Sequence, residues 1–464
     1  MRVPLSWLSE YTELAKDAKP EELMAELVKV GLEEEEEHFF DVSGPIVVGQ
    51  VVDFVDEPQS NGKTIRWCQV DVGEGSPRGI VCGASNFKKD DKVVVTLPGS
   101  VLPGNFEISA RKTYGHVSDG MIASVKELGM GDDHEGILVL STMGLDPKVG
   151  EDAIKLLGLD DSAAEINVTP DRGYCFSIRG VAREYSHATG TKFTDPADIE
   201  PVSGSGFELK IEDSEPIRGK VGCSRFELVE LADLDASGPT PAWMVSRLKL
   251  AGMRSISLIV DVTNYVMLET GQPTHAYDLD LLSGGITVRR AKKAEKLKTL
   301  DGQVRDLHEE DLLITDESGP IGIAGVMGGE STEVSSSTKR VMIEAANFDP
   351  VSIARSARRH KLPSEASKRF ERGVDPLVAN HAIARIAKLL VEYGSAKLTG
   401  FGASYFQPAE DVQIELPVNF ATELVGVDYS TERQIEILEQ IGCSVTSGEA
   451  LMVTPPSWRP DLGH

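Results

Sequence analysis

The sequence predicts a multidomain α+β protein, on three observations. At 464 residues the chain is too long for one hydrophobic core. Its texture switches from helical spacing to short strand-like runs, and later to a block mixing both. Two stretches rich in turn-forming residues, 194–206 and "GFGASYFQPAED", divide it into parts.

Taken in order, residues 1–40 read as helical. "KPEELMAELVKVGL" carries apolar residues at helical spacing, with Ser6 and Asp17 as candidate starts. The acidic run Glu33 to Glu37 fits a solvated helix exit or a strand edge. From Pro45 come "PIVVGQVVDFV", "TIRWCQVDVG", "RGIVCGA" and "KVVVTLPG", short runs split by turns, as in a small antiparallel barrel or sandwich. Within that region, Ser124 and Glu127 offer a capping box for one short helix. Residues 150–190 return to helix, with "FSIRGVAREYSHATG" amphipathic and ending at Gly190. "TDPADIEPVSGSG" reads as a linker. Residues 207–400 interleave strands and helices, and "VDPLVANHAIARIAKLLVEYG" supplies an amphipathic helix near the end. The last unit reads as strand "VQIELP", helices "NFATELVG" and "STERQIEILEQIG", and strand "ALMVTPP". No internal repeat is visible.

With 41% hydrophobic and 26% charged residues the composition is that of a folded, soluble protein. Lys and Arg number 47 against 74 Asp and Glu, a net charge of −27, which argues against a broad basic surface gripping nucleic acid. The strand-rich region 46–140 has nine Lys/Arg against thirteen Asp/Glu, so its charge alone makes no RNA binder of it. Five scattered cysteines without a Cys-x-x-Cys pair exclude a disulfide scaffold or zinc ribbon and fit a reducing cytosol. The start has charges interrupting its apolar residues, unlike a signal peptide, and no run of about 18 apolar residues spans a bilayer. A cytoplasmic location without a membrane partner follows as the expectation.

Three stretches of the mixed block could carry chemistry. "DVTNYVMLETGQPTHAYD" (261–278) sets polar residues, among them Asn264 and His275, between apolar ones. It reads as a surface loop, a metal site or a pocket wall. His275 has no second histidine at ligand spacing, and His-Glu-x-x-His is absent, so the metal reading is the weakest. In "GPIGIAGVMGGESTEV", Gly322, Gly325, Gly328 and Gly329 follow the strand-like "DLLITDESG". Such density lets backbone approach a ligand, or simply makes a tight turn. In "VMIEAANFDPVSIARSARRHKLPSEASKRFERGVD", Glu344 sits in an apolar strand. Either it points inward, where it must find donors or shift its pKa upward, or it faces water. The same stretch holds Arg355, Arg358, Arg359, His360, Lys361, Lys368, Arg369 and Arg372, the one basic concentration in an acidic chain. It suits phosphate contact, or a solvated helix face balanced by nearby acids.

"DVTNYVMLETGQPTHAYDLD", "IAGVMGGES" and "SEASKRFERGVDP" together resemble the beta subunit of bacterial phenylalanyl-tRNA synthetase, and the resemblance runs along the whole chain in the family's domain order. "NVTPDRGYCFSIRGVARE" resembles the close of its N-terminal domain, and "LPGSVLPGNFEI" and "SDGMIASVKELGMGDDHEGILVL" resemble its inserted OB-type barrel. The resemblance implies an N-terminal domain from 1–40 plus 150–193, an OB-fold tRNA-binding-type domain over 41–149, an editing domain over 207–400 and a small, incomplete α/β domain over 405–464. It implies partners as well: an alpha subunit holding the ATP-dependent aminoacylation site, in a two-alpha, two-beta assembly, and tRNA(Phe). The chemistry implied for this chain is hydrolysis of tyrosine wrongly attached to that tRNA.

Carried over residue by residue, the family's editing positions fall on Arg254, Asn264, His275, Gly325, Gly328, Glu344, Ser364 and Ala366. Glu344 and the glycine backbone near Gly328 would meet the tyrosine hydroxyl, and small Ala366 would leave room for the ring. Arg254, Asn264, His275 and Ser364 would position the terminal adenosine, the ester and a water, with His275 as base or as orienter. A magnesium ion shared with the alpha subunit would take Asp461 and acids further on. Relatives continue through a catalytic-like module and an anticodon-binding domain, so an N-terminal part is expected here. "DEPQSNGKTIRW" departs from the His-Pro-Asn-Ala-Asp run many relatives carry in the barrel. The rival expectation is a non-catalytic tRNA-binding and assembly scaffold. Convergence of Glu344, His275 and the 325–329 backbone on one cavity separates the two.

Overall fold

The computed structural model describes residues 1–408 and 412–463, so the end of the predicted boundary "GFGASYFQPAED" lies outside the described residues. Mixed α and β structure runs throughout. Strands Arg2–Pro4, Ser162–Asn167 and Glu33–Phe39 form one antiparallel sheet, so the chain's start pairs with residues that follow the barrel. The Glu33 to Glu37 run is the exposed edge strand of that sheet, and like charges blunt such an edge against further pairing. The helix Pro20–Val28 starts at Lys19 rather than Asp17, because Pro20 fixes the first helical φ. Ser6 lies inside the one-turn helix Leu5–Leu8 and binds Asp161 instead of opening a helix.

The strand-like runs after Pro45 form a five-stranded antiparallel sheet, in the order Met121–Ile122, Lys92–Thr96, Ile46–Pro58, Thr64–Asp71, Arg78–Cys82. Its ends meet where the Asp119 N–H donates to the Gly79 carbonyl (2.9 Å) and the Val81 N–H to Ser118 Oγ (3.0 Å), which nearly closes a barrel. Ser124 and Glu127 do bond reciprocally, at 2.7 and 3.2 Å, but what they cap is a turn and not a helix.

The mixed block is built on a five-stranded sheet ordered Ser205–Gly206, Lys397–Phe406, Cys223–Ala232, Val341–Phe348, Thr274–Asp278. "GFGASYF" is no boundary: it is strand, paired along Cys223–Ala232. The 194–206 linker has no regular element before the strand Ser205–Gly206, yet it is tied down, with Asp195 accepting from Arg179 at 2.7 and 2.8 Å and from Arg183 at 3.1 Å.

Side chains alternate across a strand, and here both faces are covered. Val341, Ile343, Ala345, Val229 and Leu231 face the helices Leu258–Thr270 and Ala379–Gly394 in a core that also takes in Trp7, Leu8 and Leu27. Met342, Ala346, Phe348, Phe226 and Leu228 face a second core. That core is shared with another five-stranded sheet, ordered Leu209–Glu212, Ile286–Arg290, Leu312–Asp316, Gly319–Ile323, Met327–Gly328. Burial on both sides explains why "VMIEAANF" reads as one continuous apolar run. All five cysteines are unpaired and buried, and no helix of the described residues is long and apolar enough to cross a membrane.

Candidate active site between two sheets

On the second-core face of the central sheet, His275 lies directly opposite Glu344, and Tyr277 follows two residues along the same strand. The period of two puts all three side chains on one face. Across from them stands the hairpin Gly319–Ile323 and Met327–Gly328, and the helix Glu365–Arg372 closes a side. Between these elements is a cavity of about 220 Å³. Leu300, Val326, Met327, Phe348 and Phe370 give it an apolar lining, with Ala366 at one wall and Thr274, His275, Tyr277 and Glu344 as its polar groups. A cavity of about 150 Å³ already holds a benzene ring, so an aromatic side chain fits.

Glu344 is 7% exposed. Its carboxylate accepts a hydrogen bond from the Tyr277 hydroxyl. Burial disfavours the charged form more than that bond favours it, and the carboxyl is pushed up to about 7. His275 is pushed down to about 4 by burial alone, so its imidazole is neutral at pH 7. Its Nε2 is buried without a hydrogen-bond partner, as is Thr274 Oγ1. Orphaned polar atoms in a cavity wall are what a polar ligand would satisfy.

Two glycines here, Gly325 and Gly328, are required by contact. A Cβ on Gly328 would lie 2.4 Å from His275 Cε1 and 2.8 Å from Nε2, so the backbone rests against the imidazole. Gly325 has φ +64° and would press a Cβ on Phe370 at 2.8 Å. Ser364 caps the helix Glu365–Arg372, accepting from the Ser367 N–H (3.0 Å). It donates to the Val326 carbonyl at 2.9 Å, fastening that helix to the glycine hairpin.

Gly325, Gly328, His275, Glu344 and Ala366 thus line one cavity, and Ser364 braces its rim. Arg254 and Asn264 are not brought there. Arg254 lines a separate cleft, together with Asp132, Asp133 and Ser257. Asn264 belongs to the helix Leu258–Thr270, which packs on the opposite face of the central sheet. The two buried acids of that helix, Asp261 and Glu269, are structural. Asp261 accepts from Thr240, Ser255 and the Ile256 N–H, and Glu269 accepts from Tyr11 and, twice, from Arg385. Of the 261–278 stretch, Pro273, Thr274, His275 and Tyr277 line this cavity. Tyr277 carried no assignment from sequence, although its place two residues after His275 in a strand puts it on the same face.

Asp461 does not by itself fit a magnesium site. Both its oxygens are taken by the Arg459 guanidinium at 2.8 and 2.7 Å. Among the described residues, the cluster with metal-ligand spacing is Glu36, His38 and Glu165, which excludes Asp461. There His38 and Arg2 already engage Glu165.

The two titrations act oppositely on stability. As pH rises from about 4.5 to 7 the unfolded chain loses the Glu344 proton first, so the fold weakens. As pH falls from about 6.5 to 4 the unfolded chain takes up the His275 proton first, so the fold weakens in that direction. Glu344→Gln removes only the first effect. Its stability relative to the parent should therefore rise with pH between 4.5 and 7, by about 1.4 kcal/mol per unit. Urea unfolding of both proteins at pH 5, 6 and 7 checks this.

Three family models match the chain: a B3/4 domain over residues 222–395, a putative tRNA binding domain over 46–145 and a tRNA synthetase B5 domain over 414–464. Over its whole length the chain is 62% identical to the phenylalanine–tRNA ligase beta subunit of Leifsonia xyli subsp. xyli and 50% identical to that of Bifidobacterium longum, spanning 57% of each relative. A solved N-terminal fragment of the phenylalanyl-tRNA synthetase beta-subunit from Pyrococcus horikoshii matches at 16% identity, with 70% of this chain and 93% of that one covered. Its TM-score is 0.32, a likeness too slight to bear on the fold.

Proposed function

The chain belongs to the phenylalanine–tRNA ligase beta-subunit family, and from that premise we propose that its cavity is a hydrolytic editing site for tyrosine esterified to tRNA(Phe). The observation that carries the reading is the meeting of Glu344, neutral His275 and the glycine hairpin in one apolar cavity of aromatic size. The need for such a site is physical. A hydrophobic synthetic pocket rejects a substrate that merely adds a hydroxyl by only about a hundredfold, so a second sieve that binds the hydroxyl is required.

In this reading the ring enters between Ala366 and the hairpin, and its hydroxyl donates to the Glu344 carboxylate beside Tyr277. Phenylalanine would leave that carboxylate desolvated without the added bond. The ester lies toward His275. A base works best with a pKa near the working pH, so an imidazole held at about 4 is a weak proton acceptor. His275 therefore orients the water through its free Nε2. Water oxygen adds to the ester carbonyl, the bond to the ribose oxygen breaks, and the proton lost by water ends on the ribose hydroxyl. Ser364 holds the rim in place, and no step is assigned to Arg254 or Asn264.

Around the site, the reading makes 41–149 an OB-type tRNA-binding domain, 1–40 plus 150–193 its discontinuous host, the block from 207 through Phe406 the editing domain, and the last unit a B5-type domain. The whole protein would pair with an alpha subunit that uses ATP and magnesium to attach phenylalanine, in the cytoplasm. Binding of 3′-deoxy-3′-aminoadenosine amides, which cannot be hydrolysed as esters, tests the site. The tyrosyl amide should bind this chain at least tenfold more tightly than the phenylalanyl amide in calorimetry. Equal affinities would remove the hydroxyl-reading role.

A further inference from the structure

The basic concentration at 355–372 splits into two sets. Arg355 and Arg359 pair with Glu310, Arg359 and His360 with Asp311, and Arg369 is buried. Arg358, Lys361, Lys368 and Arg372 line an open groove of about 670 Å³, within the size range of ligand clefts. Arg358, Lys361 and Lys368 are exposed, and among the described residues neither Arg358 nor Lys361 has an ion-pair partner. Two acids share the groove, Glu365 and Glu371. Glu365 is already engaged by Arg369 at 2.8 Å and by Lys368 at 3.3 Å. In a chain of net charge −27 this is a local reversal of sign.

The groove adjoins the cavity. Ser364, Glu365 and Ser367 line the groove while Ala366 lines the cavity, so the first turn of one helix separates them. The same Ser364 holds the Val326 carbonyl of the cavity wall. A substrate whose reacting ester sits in the cavity must leave the rest of its chain along the neighbouring surface.

We propose that this groove binds the phosphodiester backbone of the single-stranded 3′ end of the esterified RNA, with Arg358, Lys361 and Lys368 as its phosphate contacts. The proposal rests on the editing reading for the identity of the RNA and on the groove's own charge for the binding. Phosphate contacts of this kind position a strand without reading its bases.

The test uses the triple variant R358A/K361A/K368A, all surface positions. A 5′-labelled eight-nucleotide RNA ending in CCA is titrated by fluorescence anisotropy at several salt concentrations. The variant should bind at least tenfold more weakly at low salt, with the slope of log affinity against log salt smaller by about two, as three lost contacts at about 0.7 each require. Unchanged affinity and slope would overturn the proposal. In parallel, hydrolysis of Tyr-tRNA(Phe) is compared with that of 3′-tyrosyl-adenosine, which carries no phosphodiester. The ratio of the two kcat/KM values should fall at least tenfold in the variant. An equal fall for both substrates would mean that the substitutions act on the cavity, and would overturn the groove assignment. A chain that loses RNA affinity as expected but hydrolyses neither ester would uphold the groove and overturn the editing reading.

Discussion

Glu344→Ala should erase most of the preference for a tyrosyl over a phenylalanyl ester, lowering the ratio of their kcat/KM values by about 10- to 100-fold. A hydrogen bond to a charged acceptor contributes about 1.5–3 kcal/mol, and 1.4 kcal/mol is one factor of ten. The loss falls on the tyrosyl ester alone, because the phenylalanyl ring makes no such bond. Alanine also strips the Tyr277 hydroxyl of its acceptor inside the cavity. Glu344→Gln keeps an acceptor oxygen without the charge, so it should retain part of the preference. Deacylation rates of both esters, measured over a range of concentrations with each variant, check the order parent, Gln, Ala. An undiminished preference in the alanine variant would remove Glu344 from recognition.

Gly328→Ala should slow hydrolysis by about two orders of magnitude while the fold survives. The new Cβ would arrive 2.4 Å from His275 Cε1, closer than real atoms pack, so the imidazole must shift away from its place opposite Glu344. A misplacement of about 1 Å at a reacting centre costs on the order of a hundredfold. Gly322→Ala is the matched control: it lines the same cavity, yet its Cβ would meet nothing nearer than 3.7 Å. Single-turnover deacylation with thermal unfolding of all three proteins separates the outcomes. Equal rates in the two alanine variants would show that the imidazole position does not matter.

How far the sequence could be read depended on whether the partners were local. The barrel strands follow from short strand-like runs and turns, and the helix Ile178–Thr189 from its amphipathic spacing and Gly190 at its end. The facing of Glu344 could not be read, because a strand buried on both sides shows no alternation to say which side a carboxylate takes. The helix Leu258–Thr270 looked like pocket wall for the opposite reason. Its buried acids resemble catalytic groups until their partners are known, and Tyr11 and Arg385, which satisfy Glu269, lie 258 and 116 residues away. "GFGASYF" looked like a boundary since its glycines suit turns, and only pairing with a strand about 170 residues earlier makes it sheet. The candidate site was legible mainly through resemblance. His275, Gly325, Gly328, Glu344 and Ala366 came from carried-over positions that fall together in space, whereas Arg254 and Asn264, carried over the same way, fall elsewhere.

The most direct measurement is deacylation of Tyr-tRNA(Phe) by this chain, beside Phe-tRNA(Phe) at equal concentration. Hydrolysis of the tyrosyl ester is expected with the phenylalanyl ester largely spared, a difference of at least tenfold in rate. Equal rates for the two esters, or no hydrolysis of either by the folded chain, would rule out a tyrosine-selective editing site in this cavity.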